Sequence, residues 1–328
     1  MNAIIQETLI RWKSTRKTKM TPSGWLSGNA PCCEYRGQNP DKRGRGGIKA
    51  DDIQIAYNCF NCGFTATYQQ GRNLYPKFIK LLHWLNFSES EIGQFKLAAL
   101  KENFEGKESV ALAPRKIAPV KIPDWELLSD NRTHPRHINF LKSRGFSASD
   151  YTFLCAGGTY QNRVIIPFIS QDTFVGFTAR SIFPHDKFRY IMKLESDFVF
   201  GMEWVKPHHQ IVFLMEGPLD ALSIHGLAVM HNEISDAQAE MICDLGKDVI
   251  VVPDLDKSGL DLKFDHGFIR TALDHDWKVS FPLWKYKDAN EAFVEYGPLF
   301  VVKHLIDQST SNETTIRVKQ KLFFDRVK

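Results

Sequence analysis

The chain lacks any run of about 18 apolar residues, the length a bilayer-spanning helix needs. Its first 21 residues carry Arg11, Lys13, Lys17 and Lys19 among isolated apolar residues, not the continuous apolar core of a signal peptide. A membrane location is therefore excluded and a cytosolic one expected. No glycine-led phosphate loop is present either. Gly106-Lys107-Glu108-Ser109 misses the spacing ahead of its lysine, which argues against a built-in NTP-driven motor. No histidine precedes His83, and outside Cys32–Cys62 the only cysteines are Cys155 and Cys243. In a reducing compartment four clustered thiols point to a metal and away from disulfides.

What is present suits a two- or three-domain protein of 328 residues, 43% hydrophobic and 24% charged. The formal net charge of +4 permits a nucleic-acid partner without requiring one. Cys59-x-x-Cys62-Gly63 is a zinc knuckle, because two thiolates three positions apart reach one tetrahedral ion and the glycine relieves the turn. Cys32 and Cys33 are the remaining ligand candidates, although an adjacent pair is irregular and the spacing leaves open whether both bind. Arg36, Lys42, Arg43 and Arg45 lie between the thiol pairs, with Tyr57, Phe60 and Phe64 nearby. Cations for phosphates and rings for bases suit a single strand, while rings that simply cover the metal are the plainer alternative.

Helical spacing is expected over residues 3 to 13, 75 to 85 and 89 to 100. Glu102 to Pro123 then reads as a linker, with Pro114, Pro119 and Pro123 spaced along it. A helix from Pro135 to Arg144 closes on Gly145, and a hairpin follows, Asn162–Ile169 and Thr173–Arg180 around Ser170-Gln171-Asp172. That hairpin is expected to bring Arg163 and Arg180 to one face, with Lys187, Arg189 and Lys193 beyond.

Two apolar runs end in carboxylates. Ile211–Met215 stops at Glu216-Gly217-Pro218-Leu219-Asp220, and Val249–Val252 stops at Pro253-Asp254-Leu255-Asp256. Short β-branched runs alternating with helical segments specify an α/β fold with a doubly wound, mostly parallel sheet. Its ligand site lies beyond the carboxyl ends of the strands. Acids gathered there repel unless a cation joins them, and hard oxygen donors select Mg²⁺. Ser235 to Gln238 is a capping box, Leu260 to Leu273 a further helix, and Lys278 to Leu283 a last strand. Lys287-Asp288-Ala289-Asn290-Glu291 opens another helix, and a polar segment precedes a basic tail.

Glu216-Gly217 with Asp220, then Asp254-x-Asp256, resemble the two acidic motifs of the toprim fold. Lys287 to Glu291 is similar to the Lys-Asp-rich element after the last toprim strand. A zinc segment, a linker, a basic hairpin with Gly176-Phe177-Thr178-Ala179-Arg180, and then toprim is the order of bacterial and phage DNA primases. Without a helicase domain, the chain most resembles a stand-alone phage primase.

That resemblance implies a zinc-ribbon domain with flanking helices over 1–100, a linker over 101–123 and a basic part of the RNA polymerase domain over 124–205. The toprim subdomain would cover 206–306 and a polar or basic tail 307–328. It implies synthesis of short RNA primers from NTPs on a single-stranded DNA template, beside a replicative helicase, in the cytoplasm of the cell or of a phage's host. Structural Zn²⁺ would be held by Cys32, Cys33, Cys59 and Cys62. Catalytic Mg²⁺, with Mn²⁺ as the alternative ion, would be held by Glu216, Asp254 and Asp256, with Asp220 and Asp288 assisting. Arg163, Arg180, Lys187, Arg189, Lys193, Arg36, Arg43 and Arg45 would contact nucleotide or DNA. The rival readings are a non-catalytic zinc-plus-toprim recombination mediator and a toprim nuclease. A topoisomerase is disfavoured because no large tyrosine-bearing cleavage domain has room.

Overall fold

The computed structural model describes residues 2–15, 17–109, 124–129, 134–170, 172–194, 197–256 and 267–326. They divide into two compact units, Met1–Pro114 with Asp274–Asp276, and Arg115–Leu273 with Trp277–Lys328. No helix among the described residues is long and apolar enough to cross a membrane.

The first unit begins with α1 (Ala3–Thr15), followed by β1 (Lys19–Met20), β2 (Leu26–Gly28), β3 (Gly46–Ala50), β4 (Gln54–Cys59) and β5 (Thr65–Gln69). These five strands form one antiparallel sheet in chain order. Period-two alternation on β4 buries Ile55, Tyr57 and Cys59 on one face. Trp12 of α1 covers that face and fixes the helix by donating its indole N–H to the Leu26 carbonyl at 3.0 Å. Phe78, Leu81 and Leu82 of α2 (Pro76–Trp84) complete the core.

α3 (Glu89–Ser109) outruns the helix expected to stop at Leu100 and takes in the first part of the expected linker. Glu102 holds it there, accepting from the Asn2 side-chain amide at 2.8 Å, and so does buried Asn103, which donates to Asn73 at 2.8 Å. The three linker prolines lie outside the described residues.

In the second unit β6 (Trp125–Leu127), β7 (Leu154–Ala156), β8 (Arg163–Ser170), β9 (Thr173–Ser181) and β10 (Tyr190–Leu194) form an antiparallel sheet in the order β10-β9-β8-β7-β6. α4 (Pro135–Ser143) packs Ile138 and Leu141 against Val164, Ile166 and Phe168 of β8. β8 and β9 are the expected hairpin, but their register contains a shift between Phe168 and Ile169. Ser170 faces Thr173 and Ile169 faces Phe174, and an unbroken ladder from there would set Arg163 opposite Arg180. The shift sets Arg163 opposite Ser181 and Arg180 opposite Val164. A slip of one residue reverses the face of every later side chain, so the two arginines lie on opposite faces.

The third sheet is built from β11 (Ile211–Met215), β12 (Leu227–Ala228), β13 (Asp248–Val251), β14 (Lys278–Ser280) and β15 (Ser309–Thr310) in the order β12-β11-β13-β14-β15. Its first three pairings are parallel and the last antiparallel. Successive residues feed opposite cores, as the doubly wound pattern requires. Val212, Leu214, Val249 and Val251 meet α6 (Asp236–Cys243), α7 (Phe268–Asp274) and α10 (Glu313–Arg326). Phe213, Met215, Ile250 and Val252 meet α8 (Ala289–Tyr296) and α9 (Pro298–Asp307). Leu214 is fully buried at the centre, and truncation to Ala there would cost about 2–5 kcal/mol.

α5 (Pro218–Ile224) turns Leu219, Ala221 and Leu222 onto the second sheet's core and so joins the two sheets. The Ser235–Gln238 capping box forms as expected. The segment after residue 307 is not a tail: β15 adds to the sheet and α10 buries Ile316 and Phe323, two helical turns apart on one stripe. Of the expected helix from Leu260, only α7 falls among the described residues. Lys257-Ser258-Gly259 and His266 lie outside them.

Candidate active site and metal centre

Chain order reverses direction between β11 and β13, since β12 lies on one side of β11 and β13 on the other. Open α/β sheets bind ligands at the carboxyl ends of such strands. Glu216 follows β11 directly, and Asp254 follows β13 after Val252-Pro253. The Asp254 N–H donates to Glu216 Oε1 at 3.1 Å, tying the two strand ends together. The Leu255 N–H donates to the Lys287 carbonyl at 2.9 Å, which draws in the loop ahead of α8. Lys287 Nζ then stands between two aspartates, 2.9 Å from Asp254 Oδ2 and 3.0 Å from Asp256 Oδ2.

Asp220, in the first turn of α5, accepts from the Asn290 N–H at 2.9 Å, and Asp288 caps α8 by accepting from Glu291 N–H at 2.9 Å. The five acids thus converge from three separate segments. Burial, and then the charge of Asp254, push the Glu216 carboxyl up to about 8. Burial, then Asp288 and Asp254, raise Asp220 well above its ordinary value. Asp254 also moves up through burial, against the pull of Lys287. Burial works against the Lys287 charge, but Asp254 and Asp256 outweigh it and hold the ammonium firmly protonated. Crowded carboxylates that hold protons, with an ammonium already between two of them, are a site that demands positive charge. The hard oxygens of Glu216, Asp254 and Asp256 fit Mg²⁺ by donor chemistry.

These acids line a cleft of about 520 Å³ together with the basic residues Arg144, Arg180 and Arg189. Arg180 reaches it from β9, its guanidinium 4.3 Å over the Tyr190 ring, with Thr178 and Met192 on the same face of the sheet. Arg163 does not reach the cleft. Its buried guanidinium pairs with Asp186 at 2.8 Å and donates to the Ala179 carbonyl at 3.3 Å, so the one-face expectation for Arg163 and Arg180 is corrected. Lys187 and Lys193 are exposed and stand outside the cleft lining.

Arg144 carried no expected role in the site, and Lys287 and Asn290 were expected only as members of the Lys287–Glu291 element. Asn290 is buried and donates to the Arg144 carbonyl and to Ser223 Oγ, each at 3.0 Å, while Arg144 Nη1 donates back to its Oδ1 at 3.2 Å. Gly145 allows this junction. Its φ is 78°, and a Cβ there would come within 2.6 Å of Phe293 on α8. The cationic first position of Lys287-Asp288 was the one sequence signal for this part of the site.

In the first unit the sulphurs of Cys32, Cys33, Cys59 and Cys62 are buried and all lie within 4.8 Å of one another. Cys32 and Cys62 are 3.4 Å apart, Cys33 and Cys59 3.6 Å. A tetrahedral zinc with bonds of about 2.3 Å spaces its sulphurs about 3.8 Å apart. Both members of the adjacent pair therefore belong to the cluster, and the donor set fits structural zinc. Gly63 carries the positive φ, 70°, that the knuckle turn needs. Asn61 donates its side-chain N–H to Cys33 Sγ at 3.3 Å, and the Tyr57 hydroxyl lies 3.3 Å from Cys32 Sγ. Burial pushes the Cys33 thiol up to about 12, the response of a closely packed thiol group to low dielectric.

Tyr57 and Phe64 are buried beside the cluster, so the plainer role of covering it is the correct one for both rings. Phe60 is 71% exposed. Asp41 shapes the basic loop by accepting the N–H groups of Ala30, Arg43 and Arg45 at 2.9, 2.9 and 2.7 Å. Arg45 also gives it an Nε–H bond at 3.1 Å, while Lys42 and Arg43 face solvent. Arg36 lies over the Phe64 ring at 5.6 Å.

No family model matches the chain, and no curated protein sequence matches it. Among solved structures the chain is similar to the Aquifex aeolicus primase, zinc-binding and RNA polymerase domains, at 16% identity over 99% of this chain and 93% of that one, TM-score 0.43. It is similar to the E. coli primase catalytic core at 16% identity over 55% and 75%, TM-score 0.44. It is also similar to the RNA polymerase domain of Mycobacterium tuberculosis primase at 18% identity over 67% and 80%, TM-score 0.42.

Proposed function

We propose that the chain is a toprim-type DNA primase that joins NTPs into short RNA primers on single-stranded DNA. The observation that carries this reading is one cleft lined by Glu216, Asp220, Asp254, Asp256 and Asp288 and also by Arg144, Arg180 and Arg189. Acids that demand a cation, in one cleft with guanidinium groups, match a triphosphate with its metal.

Mg²⁺ bound by Glu216, Asp254 and Asp256 would neutralise charge on the phosphates during transfer. Arg180, held on the Tyr190 ring, and Arg189 bind phosphate oxygens and orient the α-phosphate toward an incoming ribose 3′-hydroxyl. Glu216, directly after the β11 strand, is placed to complete the metal shell or to take the hydroxyl proton. The 3′-oxygen bonds to phosphorus as pyrophosphate leaves. Lys287 offsets the repulsion between Asp254 and Asp256. The zinc unit reads unpaired template bases, with exposed Phe60 as a stacking surface and Lys42 and Arg43 as phosphate contacts. A replicative helicase is the expected partner, in the cytoplasm of the cell or a phage's host.

The test supplies labelled NTPs, Mg²⁺ and single-stranded templates of varied sequence to the wild type and to Asp254→Asn. Short labelled RNA from the wild type alone supports the reading. No RNA on any template, with or without a helicase, overturns it, and NTP-independent cutting of DNA favours a nuclease.

A further inference from the structure

Outside the zinc cluster and the cleft, Cys155 on β7 stands directly opposite Glu126 on β6 in the antiparallel ladder. Residues so paired project to the same side of the sheet, so the backbone itself places this thiol beside this carboxylate. The Cys155 sulphur is buried, 3.8 Å from the Glu126 carbonyl oxygen. From the residue ahead of α4, His134 brings Nε2 to 3.1 Å from Glu126 Oε2. One donor atom each from Glu126, His134 and Cys155 lies within 4.8 Å of the other two. The ring of His137, one turn into α4, packs edge-on against His134 with centroids 5.7 Å apart and steadies its orientation.

We propose that Glu126, His134 and Cys155 form a second metal site, for a borderline-soft divalent cation of which zinc is the best match. Thiolate, imidazole and carboxylate are the three ligand types zinc takes in proteins, and a tetrahedral ion sets such donors about 3.3–3.8 Å apart. The sulphur selects against Mg²⁺ and Ca²⁺. Three protein ligands leave one position for water or for a ligand brought by a partner. Side-chain exposures of 74% at Glu126 and 28% at His134 open the approach from solvent, while the buried sulphur forms the floor. As the ion binds, the Cys155 thiol proton passes to water, and the bond between His134 and Glu126 is exchanged for two metal bonds. The site clips together an exposed three-residue edge strand, its neighbour and the start of α4, the helix that leads to Arg144.

The plainer alternative is a surface ion pair over an inert thiol, and metal counting separates the two. The full chain, equilibrated with zinc and freed of loose metal, is analysed for bound zinc as wild type, Cys155→Ser, His134→Ala and Cys59→Ser. Two zincs per chain in the wild type, falling to one in Cys155→Ser and in His134→Ala, are expected, and Cys59→Ser should retain the one bound at this site. Cobalt substitution should show thiolate-to-metal absorption in Cys59→Ser that disappears when Cys155→Ser is added. One zinc in the wild type, or two in both Cys155→Ser and His134→Ala, overturns the proposal. Should Cys155→Ser fail to fold, His134→Ala decides alone, because its side chain is partly exposed. The outcome is independent of primer synthesis, since none of these residues lines the cleft.

Discussion

The Asp254 backbone N–H reaches Glu216 Oε1 at 3.1 Å, so the acids that end the two central parallel strands are one unit and not two neighbours. Asp254→Asn keeps the backbone bond and removes a negative oxygen from the site. Primer synthesis should fall at least about 100-fold, the scale of losing several kcal/mol of electrostatic stabilisation. Incorporation of labelled NTP into RNA, with the thermal midpoint unchanged or raised, is the measurement that checks it.

The proton held by Glu216 makes a pH prediction. In the metal-free fold its carboxyl moves from 4.5 to about 8, through burial and then Asp254, and Asp254 and Asp220 move in the same direction. Between those pH values the folded protein binds more protons than the unfolded chain. Stability of zinc-replete, magnesium-free protein should therefore be highest at the acid end of this window and decline as pH rises to about 8. Thermal midpoints across the window should show that slope, and Glu216→Gln or added Mg²⁺ should flatten it.

Arg163 and Arg180 should separate by readout. Arg163→Ala removes a buried guanidinium with its bonds to Asp186 and the Ala179 carbonyl and should cost about 1–3 kcal/mol of stability, seen by denaturant titration, with NTP affinity of the folded protein intact. Arg180→Ala should raise the KM for NTP about tenfold or more, the scale of one charge-assisted hydrogen bond.

Cys32→Ser and Cys33→Ser should each weaken zinc retention by the first unit, because the two sulphurs contact different members of the Cys59–Cys62 hook. Competition with a chromogenic chelator checks this. Retention at the wild-type level in either variant would remove that cysteine from the ligand set.

Asn290→Ala should destabilise by about 1–3 kcal/mol, since its buried amide joins Arg144, Ser223 and the α5–α8 junction. Weaker NTP binding should accompany it, because Arg144 loses its support at the cleft.

The strand-end acids were legible in the sequence because each follows an apolar run directly, and chain order alone then sets them at the sheet's switch point. Arg163 was not, because its face depends on a single register shift in the hairpin that no periodicity reports. Arg144 enters the site only through tertiary contacts, from the end of a helix on the second sheet's side, and nothing in the Lys287–Glu291 element told that its lysine stands between Asp254 and Asp256. The last helix was hidden for a different reason: Ile316 and Phe323 are sparse among polar neighbours, and only a count at helical spacing pairs them.

β15 closes one edge of the sheet that carries the acids. Its two residues satisfy the outward-facing backbone groups of β14, beside Val279 and Phe281. A polypeptide ending before Ser309 would leave that edge open, and an open apolar edge recruits the same strand from another copy. Shortening the chain there should produce aggregates, because β15 is what covers the β14 edge.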